Sequence, residues 1–274
     1  MANFNELDIG NDELISFLTS VWEQYATDFR EYGKAHIKRR IRHRMTMAKY
    51  QTFEDLITDV LQKKAAYEGL FGDFSINVTE LYRDPKFWEE LQAILLKKAK
   101  NQPLNIWVTA CASGEEVFSL MMMMDYYQIS YNKIIATDFN KEIVEEASKG
   151  NLDPIKIEAY KKNLSKTNID LNFDDYFQLE GKCYHLKPSL LSKIEFVTHN
   201  LMDKLDLGTF DVVMCRNVLI YFEKNLQNRV IKNLSESLNT DGILCLGSKE
   251  SLRFMDDFTS YKVVSQSNKI YQKK

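Results

Sequence analysis

Phe210-Asp211-Val212-Val213-Met214-Cys215-Arg216-Asn217-Val218-Leu219-Ile220-Tyr221-Phe222 is the stretch on which the fold turns. An apolar run that ends abruptly in Arg and Asn reads as a buried strand delivering polar groups to a cleft. Two earlier segments repeat the design. Asn105-Ile106-Trp107-Val108-Thr109-Ala110-Cys111-Ala112-Ser113-Gly114-Glu115-Glu116 runs into a small-residue turn, and Ile134-Ile135-Ala136-Thr137-Asp138 ends in a carboxylate. Three strands with such ends imply a nucleoside-cofactor site.

Working outward, apolar runs at 105–110, 133–137, 194–198, 210–215 and 243–247 alternate with helical patterns at 115–127, 140–149 and 224–238. That alternation predicts a parallel sheet wrapped by helices. Tyr261–Val264 and Lys269–Tyr271 suit a closing hairpin. Between about 151 and 193 the pattern breaks into a polar helix and a hairpin, Tyr176–Leu179 and Cys183–Leu186, which reads as an insertion. Upstream the period is helical. Leu14, Phe17, Leu18, Val21, Trp22 and Tyr25 form one apolar face, with Asn11 or Asp12 placed to cap it. Lys34 to Tyr50 carries only Ile37, Ile41 and Met45 on a narrow stripe amid Lys, Arg and His. Thr52 and Asp55 make a capping box before Phe53, Leu56, Ile57, Val60 and Leu61. Asp84 as cap and Pro85 at the first helical position launch a helix through Lys98. The domains are therefore expected at 1–75 (helical), 76–103 (linker and helix) and 104–274 (sheet), with 151–193 inserted in the last.

The chain has 274 residues, 45% hydrophobic and 27% charged, enough to bury a sizeable core. A formal charge of −3 gives no global pull toward polyanions, so nucleic acid is not an expected partner. No apolar run could span a bilayer and the first residues lack a signal-peptide pattern, so a cytoplasmic protein without membrane insertion is expected. The four cysteines, Cys111, Cys183, Cys215 and Cys245, show no CxxC spacing and read as buried reduced thiols, with no metal site. Met121 to Met124 point in four directions on a helix and read as core.

In such a sheet the ligand sits beyond the carboxyl ends of the strands. Gly114 lets backbone approach a ligand closely, while Glu115 and Glu116 make a poor phosphate cradle and suit a cationic ligand. Asp138 ends the next strand at a spacing suited to ribose hydroxyls, although it would serve equally as the cap before Phe139 and Asn140. Together these features suggest adenosine with a positively charged amino acid tail, the chemistry of S-adenosyl-L-methionine.

From Tyr32 to about Leu252 the chain resembles the bacterial chemotaxis receptor methyltransferases called CheR. The carriers are Lys38-Arg39-Arg40-Ile41-Arg42-His43-Arg44-Met45, Ile76-Asn77-Val78-Thr79-Glu80-Leu81-Tyr82-Arg83-Asp84-Pro85 and Cys111-Ala112-Ser113-Gly114-Glu115-Glu116. Further on, Ala136-Thr137-Asp138, Asn200-Leu201-Met202-Asp203, Cys215 to Phe222 and Gly247-Ser248-Lys249-Glu250 match in the same order. Val117-Phe118 stands where the family has Pro-Tyr, Leu81 replaces an aromatic, and Ala112-Ser113 replaces Ser-Thr.

The resemblance implies an α/β, Rossmann-like class I S-adenosylmethionine-dependent methyltransferase domain with a small inserted β-subdomain, preceded by an all-α domain. It implies cofactor contacts at Asn77, Thr79, Arg83, Glu116, Asp138, Asn200, Leu201, Cys215 and Arg216, with Asn217 adjacent, beside the Gly114 already singled out. Arg83 and Tyr221 are implied near the transferred methyl as the catalytic residues. The expected reaction is methyl transfer to glutamate carboxylates in the cytoplasmic domains of methyl-accepting chemotaxis receptors, leaving S-adenosyl-L-homocysteine. A glutamate with a pKa of about 4.3 is already ionised at neutral pH, so neither a general base nor a metal is required. In a chain that esterifies carboxylates, the basic helix (Lys38, Arg39, Arg40, Arg42, Arg44) is expected to dock acidic receptor helices, and a monomer is expected. The alternatives are a non-catalytic cofactor-binding docking or signalling protein, or a methyltransferase with another acceptor. A nucleic-acid amino methyltransferase would carry Asn/Asp-Pro-Pro-aromatic where this chain has Cys-Arg-Asn-Val.

Overall fold

The computed structural model describes residues 9–75 and 78–274. The chain divides into two compact units, one taking it up to Ile76 together with Tyr221–Gln227, the other taking the rest.

The first unit holds α1 (Asn11–Tyr25), α2 (Lys34–Ala48), α3 (Phe53–Gln62) and α4 (Lys64–Phe74). α1 buries Leu14, Phe17, Leu18 and Val21, the face its periodicity predicts. Its cap is Gly10 with no side-chain bond, so the expected capping by Asn11 or Asp12 is corrected: both already lie inside the helix. Trp22 is also displaced from the expected apolar face, half-exposed beneath the Arg30 guanidinium at 4.0 Å. α2 buries Ile37, Ile41 and Met45 and stops at a left-handed Lys49. At α3 the capping box forms as expected, Asp55 N–H donating to Thr52 Oγ1 (3.1 Å) and Thr52 N–H to Asp55 (2.9 Å). An extended Lys63 then separates α4 from α3, a break that no Gly or Pro announces. α4 is tied to α2 because the Arg44 guanidinium donates to Asp73 and to the Gly69 carbonyl. A Cβ at Gly69 would fall 3.0 Å from that guanidinium, which is why glycine stands there. Tyr221–Gln227 pairs with the segment before α2: Gly33 N–H donates to the Tyr221 carbonyl (2.8 Å) and Glu223 N–H to that of Glu31 (2.8 Å).

The second unit opens with α5 (Pro85–Ala99), β1 (Leu104–Thr109), α6 (Glu115–Tyr126), β2 (Tyr131–Asp138) and α7 (Lys141–Ser148). An insertion follows: β3 (Asn151–Leu152), α8 (Ile157–Leu164), β4 (Phe177–Glu180), β5 (Cys183–Leu186) and α9 (Pro188–Leu191). The main alternation resumes with β6 (Ile194–Thr198), β7 (Phe210–Cys215), α10 (Lys224–Ser237) and β8 (Leu238–Leu246), and closes with β9 (Tyr261–Ser265) and β10 (Ile270–Lys273). The seven-stranded sheet has the order β6-β2-β1-β7-β8-β10-β9. Strands β6 to β8 in that order run parallel, and β10 and β9 are antiparallel additions. From β1 the chain first works outward through β2 to β6, then crosses to β7 on the other side. The crevice beyond the carboxyl ends of β1, β2 and β7 is therefore the topological switch point where such sheets hold ligands.

Met121–Met124 are all at most 1% exposed, because α6 is apolar nearly all round and shares one core with Leu91 and Leu95 of α5 and Tyr160 of α8. The insertion forms its own sheet, β3-β5-β4. On its hairpin Cys183 is exposed, correcting the expectation of four buried thiols; Cys111, Cys215 and Cys245 are buried. No helix among the described residues is long and apolar enough to cross a membrane.

Candidate active site

The turn after β1 is built from strained backbone. Ala110 (φ 47°) and Ala112 (φ 48°) are left-handed without being glycines, and Gly114 follows at φ 97°. Two amides tie the turn to β2: Cys111 N–H donates to the Thr137 carbonyl (2.9 Å) and Ala112 N–H to Asp138 (3.0 Å). A Cβ on Gly114 would come within 2.5 Å of the Phe118 ring, so conformation and space both demand glycine.

The paired acids that follow part company. Glu115 is 2% exposed and faces the insertion, accepting from Ser113 Oγ (2.6 Å) and from the Tyr160 hydroxyl (2.8 Å). Glu116 faces the end of β7 and accepts from Arg216 Nη1 (2.7 Å). Arg216 Nη2 donates in turn to Asp84 (2.9 Å), and the guanidinium lies 3.8 Å over the Phe87 ring. With its side chain 1% exposed, Arg216 is a buried cation between two carboxylates. Burial pushes the Glu116 carboxyl up from its ordinary range, and the positive charges of Arg216 and then Arg83 pull it back. A carboxylate in that state gains from a further cation, such as an amino acid ammonium. Asp84 stands at the N-cap position of α5 with Pro85 after it, as expected, but it is left-handed and its carboxylate makes no capping bond, turning to Arg216 instead. Arg83 stays partly exposed, donating at 3.4 Å to the Val78 carbonyl, while its own carbonyl accepts from Trp88 Nε1 (2.9 Å).

Asp138 at the end of β2 is buried and accepts from the amides of Asn140 (3.1 Å) and Ala112 (3.0 Å). Burial raises its carboxyl, opposed by those amides. The cap of α7 is Asn140, which accepts from Glu142 N–H (3.0 Å). After β6, Asn200 Oδ1 accepts from Met202 N–H (3.1 Å), and Asn233 of α10 donates to the carbonyls of Leu201 and Met202, fixing that loop. Cys215 is buried and its thiol is pushed up by burial, which makes it packing and not a nucleophile.

The second unit thus brings together Arg83, Gly114, Glu116, Asp138 and Arg216 around the turn and the strand ends, with Cys215 and Asn217 on either side of Arg216. Thr79 is half-buried in the segment leading to Arg83. Asn77 lies outside the described residues. Tyr221 belongs to the first unit, its ring 4.7 Å from that of His36. His36 is driven down from 6.5 to about 4, by burial first and then by Arg39 and Arg40. On α2 Arg39 lies at 3.2 Å from His36 Nδ1, whereas Arg44 is spent on Asp73 and Gly69.

Glu250 is a residue of this corner that the motif reading does not single out, though it closes one of the quoted motifs. It is 5% exposed and accepts from Asn217 N–H (3.0 Å), Leu219 N–H (2.8 Å) and Gly247 N–H (2.5 Å). An acid just past a glycine at the end of a buried strand was the available signal. Nothing local announced the links of Glu115 to Tyr160 or of Asn233 to the Leu201 loop.

Residues 77–269 match the family model described as CheR methyltransferase, SAM binding domain, and residues 12–75 match the CheR methyltransferase all-alpha domain. The chain belongs to the CheR methyltransferase family. Cher3 of Pseudomonas putida is 29% identical over 263 residues, 95% of this chain and 96% of that one. Chemotaxis protein methyltransferase Cher2 of the same species is 32% identical over 220 residues, covering 76% and 77%. The chemotaxis protein methyltransferase of Listeria monocytogenes is 28% identical over 249 residues, covering 89% and 92%. As a CheR protein with the SAM-binding domain, the chain is a SAM-dependent methyltransferase, and the donor set fits the cofactor: a buried carboxylate seeking a cation at Glu116, a second carboxylate at Asp138, and a glycine turn between them.

Proposed function

We propose that this CheR protein transfers methyl groups to glutamate side-chain carboxylates of chemoreceptor cytoplasmic domains, forming methyl esters. The observation that carries the reading is chemical. The carboxylates packed against Arg216 and Asn217 are already committed, Glu116 and Asp84 to the Arg216 guanidinium and Glu250 to the amides of Asn217, Leu219 and Gly247. Such a corner suits an acceptor that is already ionised at neutral pH, as a glutamate is. The relatives named chemotaxis protein methyltransferases support methyl transfer in chemotaxis.

When bound, S-adenosylmethionine supplies a methyl group carried on a sulfonium, an electrophile that a carboxylate oxygen can take without prior proton transfer. Glu116 would hold the cofactor's ammonium, Asp138 its ribose hydroxyls, and Gly114 the close backbone approach. Thr79, Asn200, Leu201, Cys215 and Asn77 would complete the cradle, with Asn217 adjacent to it. Arg216 serves by fixing Glu116. Arg83 is assigned the acceptor carboxylate and Tyr221 the packing beside the methyl, so that alignment and exclusion of water supply the rate. On α2, Lys38, Arg39, Arg40 and Arg42 would attract acidic receptor helices, with Arg44 serving the helical unit itself.

Steady-state methylation of a purified receptor cytoplasmic fragment as a function of pH tests the reading. An acceptor used as its carboxylate predicts a kcat/KM that is flat from about pH 6 to 8, well above the glutamate pKa. A tenfold rise per pH unit across that range would mean an acceptor that must first lose a proton, and would contradict the assignment.

A further inference from the structure

We infer that Glu250 is a positioning residue for methyl transfer: it fixes the loop Asn217–Ile220 and thereby sets turnover, not cofactor affinity. The inference rests on the proposed reaction. Its basis is the way the carboxylate is used. Oε2 accepts from the amides of Asn217 (3.0 Å) and Gly247 (2.5 Å), Oε1 from that of Leu219 (2.8 Å), and the Ile220 amide donates as well. An ionised carboxylate offers about four acceptor sites, so the group has no capacity left for substrate, cofactor or proton transfer. Its effect on the reaction can only be geometric.

The geometry it imposes is specific. Asn217 sits at φ 61°, in the left-handed region that asparagine enters more readily than most residues, and its N–H is held there by Glu250. Gly247 closes the other side: a Cβ there would fall 2.6 Å from Asn217 Nδ2, 2.7 Å from Asn217 N and 2.8 Å from Glu250 Oε2. Strand β8 thus ends in a clamp of one glycine and one carboxylate around the start of the loop whose next residue is Tyr221. The cofactor side is held by other means. Cys215 is in register with Leu246 of β8, and Arg216 is fixed by Glu116, Asp84 and the Phe87 ring. Loosening the clamp therefore releases residues 217–220 while the Arg216 cluster stays intact.

The test compares the full-length protein with Glu250→Gln and Gly247→Ala. Three quantities are read: kcat on a receptor fragment, the Kd for S-adenosylhomocysteine by calorimetry, and hydrogen exchange at the amides of 217, 219 and 220. Glu250→Gln replaces an acceptor oxygen by an NH2 that faces amide donors. The expected result is faster exchange at those amides, kcat down about 100-fold, as a displacement of about 1 Å can cause, and a Kd close to that of the parent. Gly247→Ala keeps the carboxylate, displaces Asn217 and should give the same split with a smaller loss, which keeps the test alive if Glu250→Gln does not fold. An unchanged kcat with the amides released, or a Kd that weakens in proportion to kcat, overturns the inference. A parent protein inactive on receptor would contradict the acceptor assignment instead, and unchanged exchange in the variants would then overturn the clamp on its own.

Discussion

Arginine is used in opposite ways in the two units. Arg216 is wholly buried between Glu116 and Asp84, with an aromatic ring beneath it, whereas the basic residues of α2 surround a three-residue apolar stripe with Arg39 exposed and Lys38, Arg40 and Arg42 half-buried. A charge taken out of water needs partners of fixed geometry, so Arg216 acts by where it holds Glu116. Charges left in water act through their summed field, so α2 suits attraction of an acidic partner without a fixed contact. The difference teaches that a buried arginine is tied to partners of fixed geometry while a more exposed one suits the proposed capture of an acidic partner, and that burial distinguishes the two.

The comparison breaks most visibly at its buried end. Arg216→Met should cost about 3–5 kcal/mol in urea unfolding, because Glu116 is left desolvated without its counter-charge; a loss below about 1 kcal/mol would mean that the triad is not held by charge pairing. Glu116→Gln comes next. It should weaken cofactor binding about 10- to 100-fold by calorimetry, the worth of one hydrogen bond to a charged group, and a Kd equal to the parent's would remove Glu116 from the cofactor site.

Smaller again is the titration of His36, in the first turn of α2. Its folded-state pKa is depressed to about 4 from 6.5, by burial and then by Arg39 and Arg40. The unfolded chain therefore binds the proton first, and the stability this group contributes is present above pH 6.5 and lost as pH falls toward 4. Because the ring is only half-buried, the loss is about 1 kcal/mol after solvent screening. His36→Phe should flatten that part of the stability-versus-pH curve; an identical slope would contradict the depressed pKa. The smallest effect on stability belongs to the charge-reversal variants Arg39→Glu and Arg39→Asp, within about 0.5 kcal/mol. The same variants should raise KM for receptor with cofactor affinity unchanged, and a KM equal to the parent's would end the capture role.

Much of this was legible in the chain itself. The strand at 210–215 stands where its apolar run lies, because a strand covered on both faces must be apolar throughout. The capping box at Thr52 and Asp55 is a local device and reads locally. What was not legible is non-local. Asp84 precedes a proline and looks like a helix cap, yet its carboxylate serves a guanidinium 132 residues away. Glu250 reaches back 33 residues to Asn217, and Glu115 forward 45 to Tyr160; no periodicity encodes such pairs. The break at Lys63 was invisible because it comes from tertiary packing of α4 and not from a helix-breaking residue. Cys183 was misjudged because its strand belongs to a three-stranded sheet too small to cover both faces.

The central claim is that an ionised glutamate of a receptor is the acceptor. Its most direct test is incubation of the full-length protein with S-adenosylmethionine labelled on the methyl group and membranes carrying the host's chemoreceptors, followed by mild base. The account predicts label on the receptor that base releases as methanol, the mark of a carboxylate methyl ester. Label that survives base, or no label on receptor from protein that binds the cofactor normally, would contradict it.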